Sequence, residues 1–456
     1  MSTFTQYLRS RPLLPICLMI AVVIGAVYGW QKWQVYSVPD IGDPFDVEAY
    51  LTRTEDGERI EKITMETDER LNQLEQANQE EWSRYYANDG DYLPWKEVAP
   101  SIKADVRNAK PILEEWFEVS QYEPGLLGPP NAIYDDDWHP DRIKESQFLI
   151  AEMVKKSLLD AIERVDYDEQ RDLYERFLEA NSVYCHADTK NGLTAFMCHT
   201  TVIGGTLRFY LNQPDVPVDH LWGLKKNLEA HYHRQPPASN FLKYQYLTIS
   251  SVIETELDMV EETDITKGLL EESETTRRLY AMLTANRLKY CDLPFSERPP
   301  LATFQYKIIV PPDSIENIKG GLKRELDINY FPDEQADEFL SRWELPSFLQ
   351  QYRLAMMTSF EAFPSVLESC DFDQLRKELY LTRLALHLYY REHDQFPETL
   401  EELAPRYLSI LPRNRDDAHS PVAYTIEDGN AILKPQENPL KTTNYPPGSD
   451  LSDLTK

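Results

Sequence analysis

The run from Pro12 to Trp30 constrains this chain most, because none of its 19 residues carries a charged side chain. A helix of that length is about 28 Å long, which matches the hydrocarbon thickness of one bilayer. Arg9 and Arg11 precede the run, whereas only Lys32 follows it closely. Because basic residues favour the cytoplasmic side, we expect the N-terminus in the cytoplasm and the bulk of the chain outside it.

A cleaved signal peptide is the alternative interpretation of this run. The run is longer than the apolar core of an ordinary signal peptide, and no A-x-A cleavage site follows it. The prediction is therefore an uncleaved, single-pass anchor that lies in the lipid bilayer. It divides the start of the chain into a cytoplasmic N-terminus at residues 1–11, a transmembrane helix at 12–30 and a linker at 31–47.

The charge balance excludes one class of partner. The whole chain has 47 basic and 77 acidic residues, a formal net charge of −30. Without Arg9 and Arg11, 45 basic residues face 77 acidic ones, a net charge of −32 outside the cytoplasm. Such a surface repels phosphate groups, so we expect no nucleic-acid binding. The charges are spread along helix faces, which indicates a solubilising role.

Helical periodicity dominates residues 48–371. Ile150, Val154, Leu158 and Ile162 recur every four residues, which is typical of one buried helix face. Loops that contain proline separate the helical segments, and no repeat period is visible. These patterns predict a mainly α protein with an extracytoplasmic helical bundle or array. We divide it into a helical stalk and loop region at residues 48–141 and a helical domain at residues 142–371.

Several element boundaries follow from local signals. Pro111 predicts a kink or break in a helix over residues 101–120. Thr303–Val310 is expected to be a lone strand or an extended crossing segment. Further helices are predicted at roughly 200–212, 219–233, 239–260, 272–290 and 346–368.

The C-terminal part begins with a wide apolar helix face, followed by a sharp turn. The residue before a proline avoids the α region, so the helix should end just before Phe396-Pro397. Pro397 suits the first position of a new short helix, which Pro405 should close. Two apolar runs around Glu427–Asn430 then indicate a β-hairpin. The apolar helix face consists of Leu375, Leu379, Leu381, Leu384, Ala385, Leu386 and Leu388.

This order of a long helix, an H-x-Q-F-P turn, a short helix and a hairpin resembles the C-terminal module of type II secretion major pseudopilins. The matching positions are Tyr390, Phe396, Pro397, Leu400, Leu403 and Pro412. The family's glycine position holds Asp394, and Arg413–Asp417 stands in place of its D-P-W-G element. The calcium-binding tail and the prepilin leader of the family are not matched, so no calcium site is carried over. The resemblance implies a small α+β module at residues 372–436, followed by a disordered tail at 437–456.

The whole chain also resembles uncharacterised bacterial proteins that combine one N-terminal span, a helical middle and a pseudopilin-like end. In the middle region, Gly205–Leu207, Pro214–Pro217 and Pro236-Pro237 have the loop spacing of that group. The resemblance implies a location in the bacterial inner membrane and partners among envelope or secretion-complex proteins. It implies no activity, substrate or cofactor.

Four cysteines lie beyond the span and one, Cys17, within it. Outside the cytoplasm, disulfides can persist. Four cysteines allow three connectivities, and the sequence does not choose among them. A disulfide from Cys185 to Cys198 or to a distant partner is the expectation, the remaining candidates being Cys291 and Cys370.

Two segments invite a metal interpretation. Cys185-His186 and Cys198-His199 offer four soft ligands, but adjacent residues rarely bind one zinc ion together. Asp135–Asp141 offers oxygen ligands for a hard cation, yet the glycine and the distal glutamate of an EF-hand are missing. A solvated loop with Asp141 as a helix N-cap is the simpler interpretation. We therefore assign no metal, cofactor or catalytic residue.

Other titratable groups also have simple explanations. His231 and His233 point to different sides of a helix, so capping or the helix dipole explains them better than metal binding. Glu80-Glu81, Glu114-Glu115 and Glu261-Glu262 are ordinary in so acidic a chain. No nucleotide-binding or hydrolase motif is present. We expect a non-enzymatic assembly or interaction module, with an extracytoplasmic metal-assisted hydrolase or a glycan-binding module as alternatives.

Overall fold

The structure is a computed structural model that describes residues 17–26, 28–29, 39–87, 94–125, 127, 140–185, 198–213, 215–234, 237–252, 272–293, 297–309, 323–341, 358–413, 421–427 and 430–434. Within these residues the protein is mainly helical, as predicted. The α-helices are α1 (Val47–Leu51), α2 (Glu55–Ala77), α3 (Gln79–Ala87), α4 (Pro100–Asn108), α5 (Lys110–Phe117), α6 (Pro140–Glu163), α7 (Tyr167–Cys185), α8 (Gly205–Leu211), α9 (Val218–His233), α10 (Ala238–Val252), α11 (Glu272–Tyr290), α12 (Glu334–Ser341) and α13 (Thr358–His393).

Two short antiparallel hairpins complete the described secondary structure. The first pairs β1 (Ala302–Ile309) with β2 (Lys323–Tyr330), and the second pairs β3 (Ala423–Glu427) with β4 (Asn430–Lys434). Among the described residues, no helix has both the length and the apolar character needed to cross a membrane. Residues 17–26 and 28–29 of the predicted span are helical and exposed, and the rest of the span lies outside the described residues.

The described residues form two compact units that are discontinuous in sequence. The smaller unit comprises residues 1–46, 245–291 and 299–365, and the larger one comprises 47–244, 292–298 and 366–456. The larger unit therefore takes in parts of the predicted stalk, the predicted helical domain and the predicted C-terminal module. The residue boundaries at 141/142 and 371/372 do not separate compact units.

The larger unit is built around α6. This helix packs against α2, α4, α7 and α8. Its stripe residues Ile150, Val154 and Leu158 are completely buried. In α2, Ile60, Thr64, Thr67 and Leu71 are all buried on one face, and Thr54 caps the helix through a hydrogen bond from the Gly57 amide (3.0 Å). The four-residue spacing seen in the sequence thus marks the face that forms the core.

The predicted break near Pro111 is confirmed. Helix α4 ends at Asn108, and α5 begins at Lys110, so that Ala109 lies between two helices that each have a proline in their first turn. A proline lacks the amide that would continue the first helix, and its ring suits the start of the second.

The C-terminal segment has the predicted order of elements. Helix α13 ends at His393, and Asp394 adopts a left-handed conformation with φ of 57°. Hairpin β3–β4 forms around residues 428–429, as expected from the apolar runs. The short helix does not start at Pro397, however. It is a 3₁₀ turn, Leu400–Leu403, because the Thr399 amide and the Glu402 side chain form a capping box that fixes the start three residues later.

Two predictions in the middle of the chain are wrong. Residues 358–368 of the separate helix expected at 346–368 are the beginning of α13, which continues without interruption to His393, and residues 346–357 lie outside the described residues. The lone strand expected at Thr303–Val310 is strand β1 of a hairpin. In its partner β2, Leu326, Ile328 and Tyr330 alternate with polar residues, so the pattern of a strand was present in the sequence here as well.

The smaller unit holds α11 against the β2–α12 connection. Asn286 donates to the Phe331 carbonyl (2.8 Å) and accepts from the Phe331 amide (2.9 Å). The buried guanidinium of Arg287 donates to the Asn329 carbonyl (2.8 Å). Side chains of α11 thus satisfy the backbone at the end of the strand.

Candidate functional site

The densest group of potentially reactive side chains lies in the larger unit. It consists of Ser182 in the last turn of α7, His199, His231 and Tyr232 near the end of α9, and Tyr380 on α13, and we call it the histidine cluster. His199 directly precedes a π-helical turn, Thr200–Gly204, that leads into α8. The cluster therefore assembles residues from four separate parts of the chain.

His199 is the central residue of the cluster, and its side chain is sealed. Only 1% of the residue is exposed, and neither ring nitrogen has a hydrogen-bond partner. The His231 ring stacks on it at 5.1 Å between centroids with an interplanar angle of 13°. Tyr232 and Tyr380 present ring edges at 5.3 Å and 6.0 Å. An imidazole without partners in a core is uncommon, because each lost hydrogen bond to water destabilises the folded state.

The surroundings favour the neutral form of His199. Burial lowers the pKa of His199 well below its usual value, and the positive charges of His231, Lys377 and Arg376 lower it further. Lys377 places its ammonium 5.8 Å from the centre of the Tyr232 ring. Arg376 donates to the hydroxyl of Thr200 (3.2 Å). All the charged groups that act on His199 are thus cationic.

Ser182 and His231 form a pair that superficially resembles a catalytic dyad. The Ser182 hydroxyl lies 2.7 Å from Nδ1 of His231 and donates to the Leu178 carbonyl (2.6 Å). A hydroxyl has one proton, so Ser182 must accept the Nδ1–H of His231. The imidazole is therefore oriented as a donor and does not remove a proton from the serine. With Ser182 only 5% exposed, this pair is structural.

Cys198 corrects the disulfide prediction. Its thiol is buried and donates to the Gln147 carbonyl at 3.4 Å, and it forms no disulfide. The thiol of Cys291 is likewise buried and donates to the Leu288 carbonyl at 3.8 Å. The predicted disulfide between Cys185 and Cys198 is therefore wrong. The side chains of Cys185 and Cys370 lie outside the described residues.

The metal candidates are only partly covered by the structure. His186, Asp135–His139 and the side chain of Asp141 lie outside the described residues. Among the residues that are described, no group of three or more His, Cys, Asp or Glu side chains is arranged to hold a metal ion. Of the two Cys-His dyads, the structure brings only His199 into a cluster, and its neighbour there is another histidine.

The interpretation of His231 as a capping residue is wrong. His231 is 2% exposed and lies inside the cluster, whereas His233 is exposed, so the two do point to different sides. Leu221, Leu224, Leu228 and His231 follow one another at intervals of three and four residues and are all buried. That spacing was visible in the sequence and placed His231 on the buried face of α9. Ser182 and Tyr380 had no comparable signal.

The paired carboxylates serve as partners of arginines. Glu80 and Glu81 both bind Arg84, as expected for an exposed helix. Glu114 pairs with Arg176 and Glu115 with Arg70. Glu261-Glu262 lies outside the described residues.

A cleft lies beside α6, lined by apolar residues of α4, α5 and α7 together with charged side chains, Asp160 among them. Asp160 is 2% exposed and accepts from Arg107 (2.9 and 3.0 Å) and from Arg164 (3.0 Å). Burial alone would raise the pKa of Asp160, but the hydrogen bonds from the two arginines outweigh it and the pKa lies below its usual value. Lys110 on the rim pairs with Glu169 (3.2 Å). The cleft is thus an ion-pair network that joins α4, α6 and α7.

Lys156 on α6 is a buried cation whose partners all belong to the larger unit. It is 1% exposed, and its ammonium lies 3.2 Å from Glu152. The rings of Trp82, Tyr85 and Tyr86 surround it at 5.7, 5.7 and 5.6 Å. Such cation–π contacts favour a desolvated ammonium. This aromatic cage is occupied by the chain's own lysine and ties α3 to α6.

The C-terminal module is joined to α9. Tyr407, which follows the 3₁₀ turn, stacks on Trp222 at 5.7 Å and donates to Glu392 (2.6 Å). Arg391 donates to the Gln213 carbonyl (2.5 Å). Within the module, Tyr390, Ile410 and Ile426 are 40%, 68% and 45% exposed. The module is therefore packed against α9 and also presents apolar side chains to solvent.

The chain was compared with protein-family models, with curated proteins and with solved structures, and none of them matches it.

Proposed function

We propose that this chain is a single-pass membrane protein of the bacterial envelope whose extracytoplasmic helical part is a non-enzymatic assembly or interaction module. The observation that carries the proposal is the burial of the histidine cluster. Ser182, Cys198, His199 and His231 are at most 5% exposed. A nucleophile or a general base must reach its substrate, whereas the contacts described for these groups are with one another, with neighbouring aromatic rings and with the backbone.

The likeness to a pseudopilin end supports the same proposal. Phe396 packs on Tyr390 at 4.8 Å, and Leu400 and Leu403 are buried. Pro412 accepts a backbone hydrogen bond from Val422 (3.0 Å), which closes the hairpin segment onto the turn. Asp394 keeps the left-handed backbone that the glycine of the family would allow. Most of the matched positions thus pack or hydrogen-bond within the C-terminal module.

The exposed apolar side chains of that module are proposed to meet a partner. Isolated apolar side chains on a surface are normal, but Tyr390, Ile410 and Ile426 all belong to one module, which Tyr407 packs against Trp222 of α9. We expect a photo-crosslinking amino acid at position 410 to capture an envelope protein in intact cells. The same amino acid in place of Glu66, whose side chain is 62% exposed on α2, is the matched control. Equal capture at both positions, or none at 390, 410 and 426, contradicts the proposed surface.

The membrane anchor needs its own test. Glu66→Cys introduces an exposed thiol, whereas Cys198 and Cys291 are buried. A membrane-impermeant maleimide is expected to label the Glu66→Cys chain in cells whose inner membrane is intact, above the level of the unsubstituted chain. Ile20→Arg with Val23→Arg is expected to move the protein out of the membrane fraction, because two charges at the centre of a span oppose insertion. Labelling that requires lysis of the inner membrane contradicts the topology.

A further inference from the structure

The histidine cluster combines two features that make its stability depend on pH. A buried imidazole without hydrogen bonds lies in the middle of it, and cations surround that imidazole. We propose that the cluster is an acid-sensitive lock, which holds α9 and α13 against the remaining helices of the larger unit and which opens more readily as the pH falls below about 6.5. This inference does not depend on the proposed function.

The lock has a specific contact on each element. Helix α9 contributes the His231 ring stacked at 5.1 Å and the edge of Tyr232 at 5.3 Å, and α13 contributes the edge of Tyr380 at 6.0 Å. On the side of α13, the hydroxyl of Tyr380 lies so close to Gly204 that an added Cβ there would come within 2.6 Å of it. The hydroxyl of Tyr380 therefore packs directly against the backbone of the π-helical turn that follows His199.

The charged neighbours decide what a proton would do. From α13, Lys377 and Arg376 act on His199, and from α9, His231 does so. On α6, Lys155 lies along Gly205 and pairs with Glu152. On α7, the Tyr184 hydroxyl accepts from the indole N–H of Trp116 and donates to Thr64, which is a neutral network. No carboxylate is among the groups that act on His199, so a proton there meets only positive charge.

His231 adds a second repulsion. Its Nδ1–H is already donated to Ser182, so further protonation occurs at Nε2 and makes the ring a cation. Two imidazolium rings stacked at 5.1 Å repel each other across an interior that screens charge poorly. The charged rings can become solvated only if the cluster opens.

The direction of the effect follows from linkage. In the unfolded chain His199 binds a proton near pH 6.5, whereas in the folded chain it does so only at much lower pH. Below pH 6.5 the unfolded state therefore holds more protons, and the folded state loses stability as the pH falls. For one such histidine, the unfolding equilibrium constant rises about eightfold between pH 7 and pH 5.5.

The test compares the full-length chain in detergent with its His199→Phe variant. Phenylalanine fills the same slot without nitrogen atoms. We expect the variant to unfold less readily at pH 7 and to lose the eightfold component of its pH dependence. His233→Phe is the control, because His233 is an exposed histidine at the end of α9. This variant should keep the full pH dependence. Parallel loss of stability in wild type and His199→Phe between pH 7 and 5.5 overturns the lock.

Hydrogen exchange shows whether opening is local. At pH 5.5, amides of residues 221–233 and 375–388 should exchange faster than at pH 7.5 after correction for intrinsic rates, while residues 150–162 of α6 should not. If His199→Phe does not fold, His199→Gln keeps a neutral polar side chain that cannot bind a proton and should likewise lose the eightfold component. Uniform acceleration across all three segments, or an eightfold component that persists in His199→Gln, also overturns the proposal.

Discussion

Tyr184→Phe is expected to weaken the joint between the two sequence regions that we first took for a stalk and a helical domain. Tyr184 is 1% exposed on α7, and its hydroxyl accepts the indole N–H of Trp116 on α5 (2.9 Å). On α2, Thr64 donates its own proton to the Ile60 carbonyl (2.7 Å), so Tyr184 donates to Thr64. One hydroxyl group thus connects three helices.

The magnitude follows from what the deletion leaves behind. Thr64 keeps its hydrogen bond to Ile60, but the indole N–H of Trp116, which is 2% exposed, loses its acceptor. An unsatisfied buried donor destabilises a protein by about 1–3 kcal/mol. We therefore expect Tyr184→Phe to lower the free energy of unfolding by that amount. The phenyl ring remains, so no large cavity adds to the loss.

The assay is urea unfolding of the full-length protein in detergent at pH 7.5, followed by far-ultraviolet circular dichroism. Tyr390→Phe, at a tyrosine that is 40% exposed, is the matched control and should change the free energy of unfolding by less than about 0.5 kcal/mol. In a double-mutant cycle with Trp116→Phe, the two losses should not add, because the orphaned donor is removed together with its acceptor. Strict additivity, or an unchanged stability of Tyr184→Phe, refutes the reasoning.

Three further predictions concern the ion-pair cleft, the C-terminal turn and the metal alternative. Asp160→Asn should lower the free energy of unfolding by roughly 1–2 kcal/mol at pH 7, a modest loss because the arginine partners are partly exposed. Asp160 stabilises the fold only while it is ionised, and its pKa is lower in the folded chain than the usual 3.8. The loss should therefore shrink as the pH falls below 3.8. In thermal unfolding, Asp394→Gly should be more stable than Asp394→Ala by about 1 kcal/mol, because only glycine adopts φ of 57° without strain, and equal stabilities would contradict the left-handed turn. Elemental analysis of the purified full-length chain should find no stoichiometric zinc, and zinc that disappears in a Cys198→Ser variant would favour the hydrolase alternative instead.

The positions of helix ends and turns could be predicted from the sequence. Pro111 and Pro397 restrict their own φ angle and the conformation of the residue before them, so the breaks near residues 109 and 394 follow from covalent geometry. The four-residue spacing on α6 identifies its buried face for the same local reason. The capping box could also be recognised from the sequence, because Glu402 follows Thr399 at the required spacing of three residues. Pro397 nevertheless suggested an earlier start for the short helix.

The histidine cluster could be predicted only in part. The spacing of His231 with the leucines of α9 indicates burial, but burial does not say which partner lies opposite. His199 lies 32 residues from His231 in the sequence, and Tyr380 comes from another part of the chain altogether. Strand β2 is a different case, because Leu326, Ile328 and Tyr330 alternate with polar residues and its strand pattern could have been recognised from the sequence.

The sequence by itself determined the mainly helical class, the turn at Asp394, the C-terminal hairpin and the acidic surface, since each depends on backbone restrictions, periodicity or composition within a few residues. The tertiary structure alone decided that Cys198 is a thiol, that residues from the stalk and the helical domain share one core, and that two histidines stack in a sealed pocket of cations. Those outcomes depend on which helix faces pack against each other. The packing decides which partner a side chain has and whether it is removed from water, and these two factors set its charge.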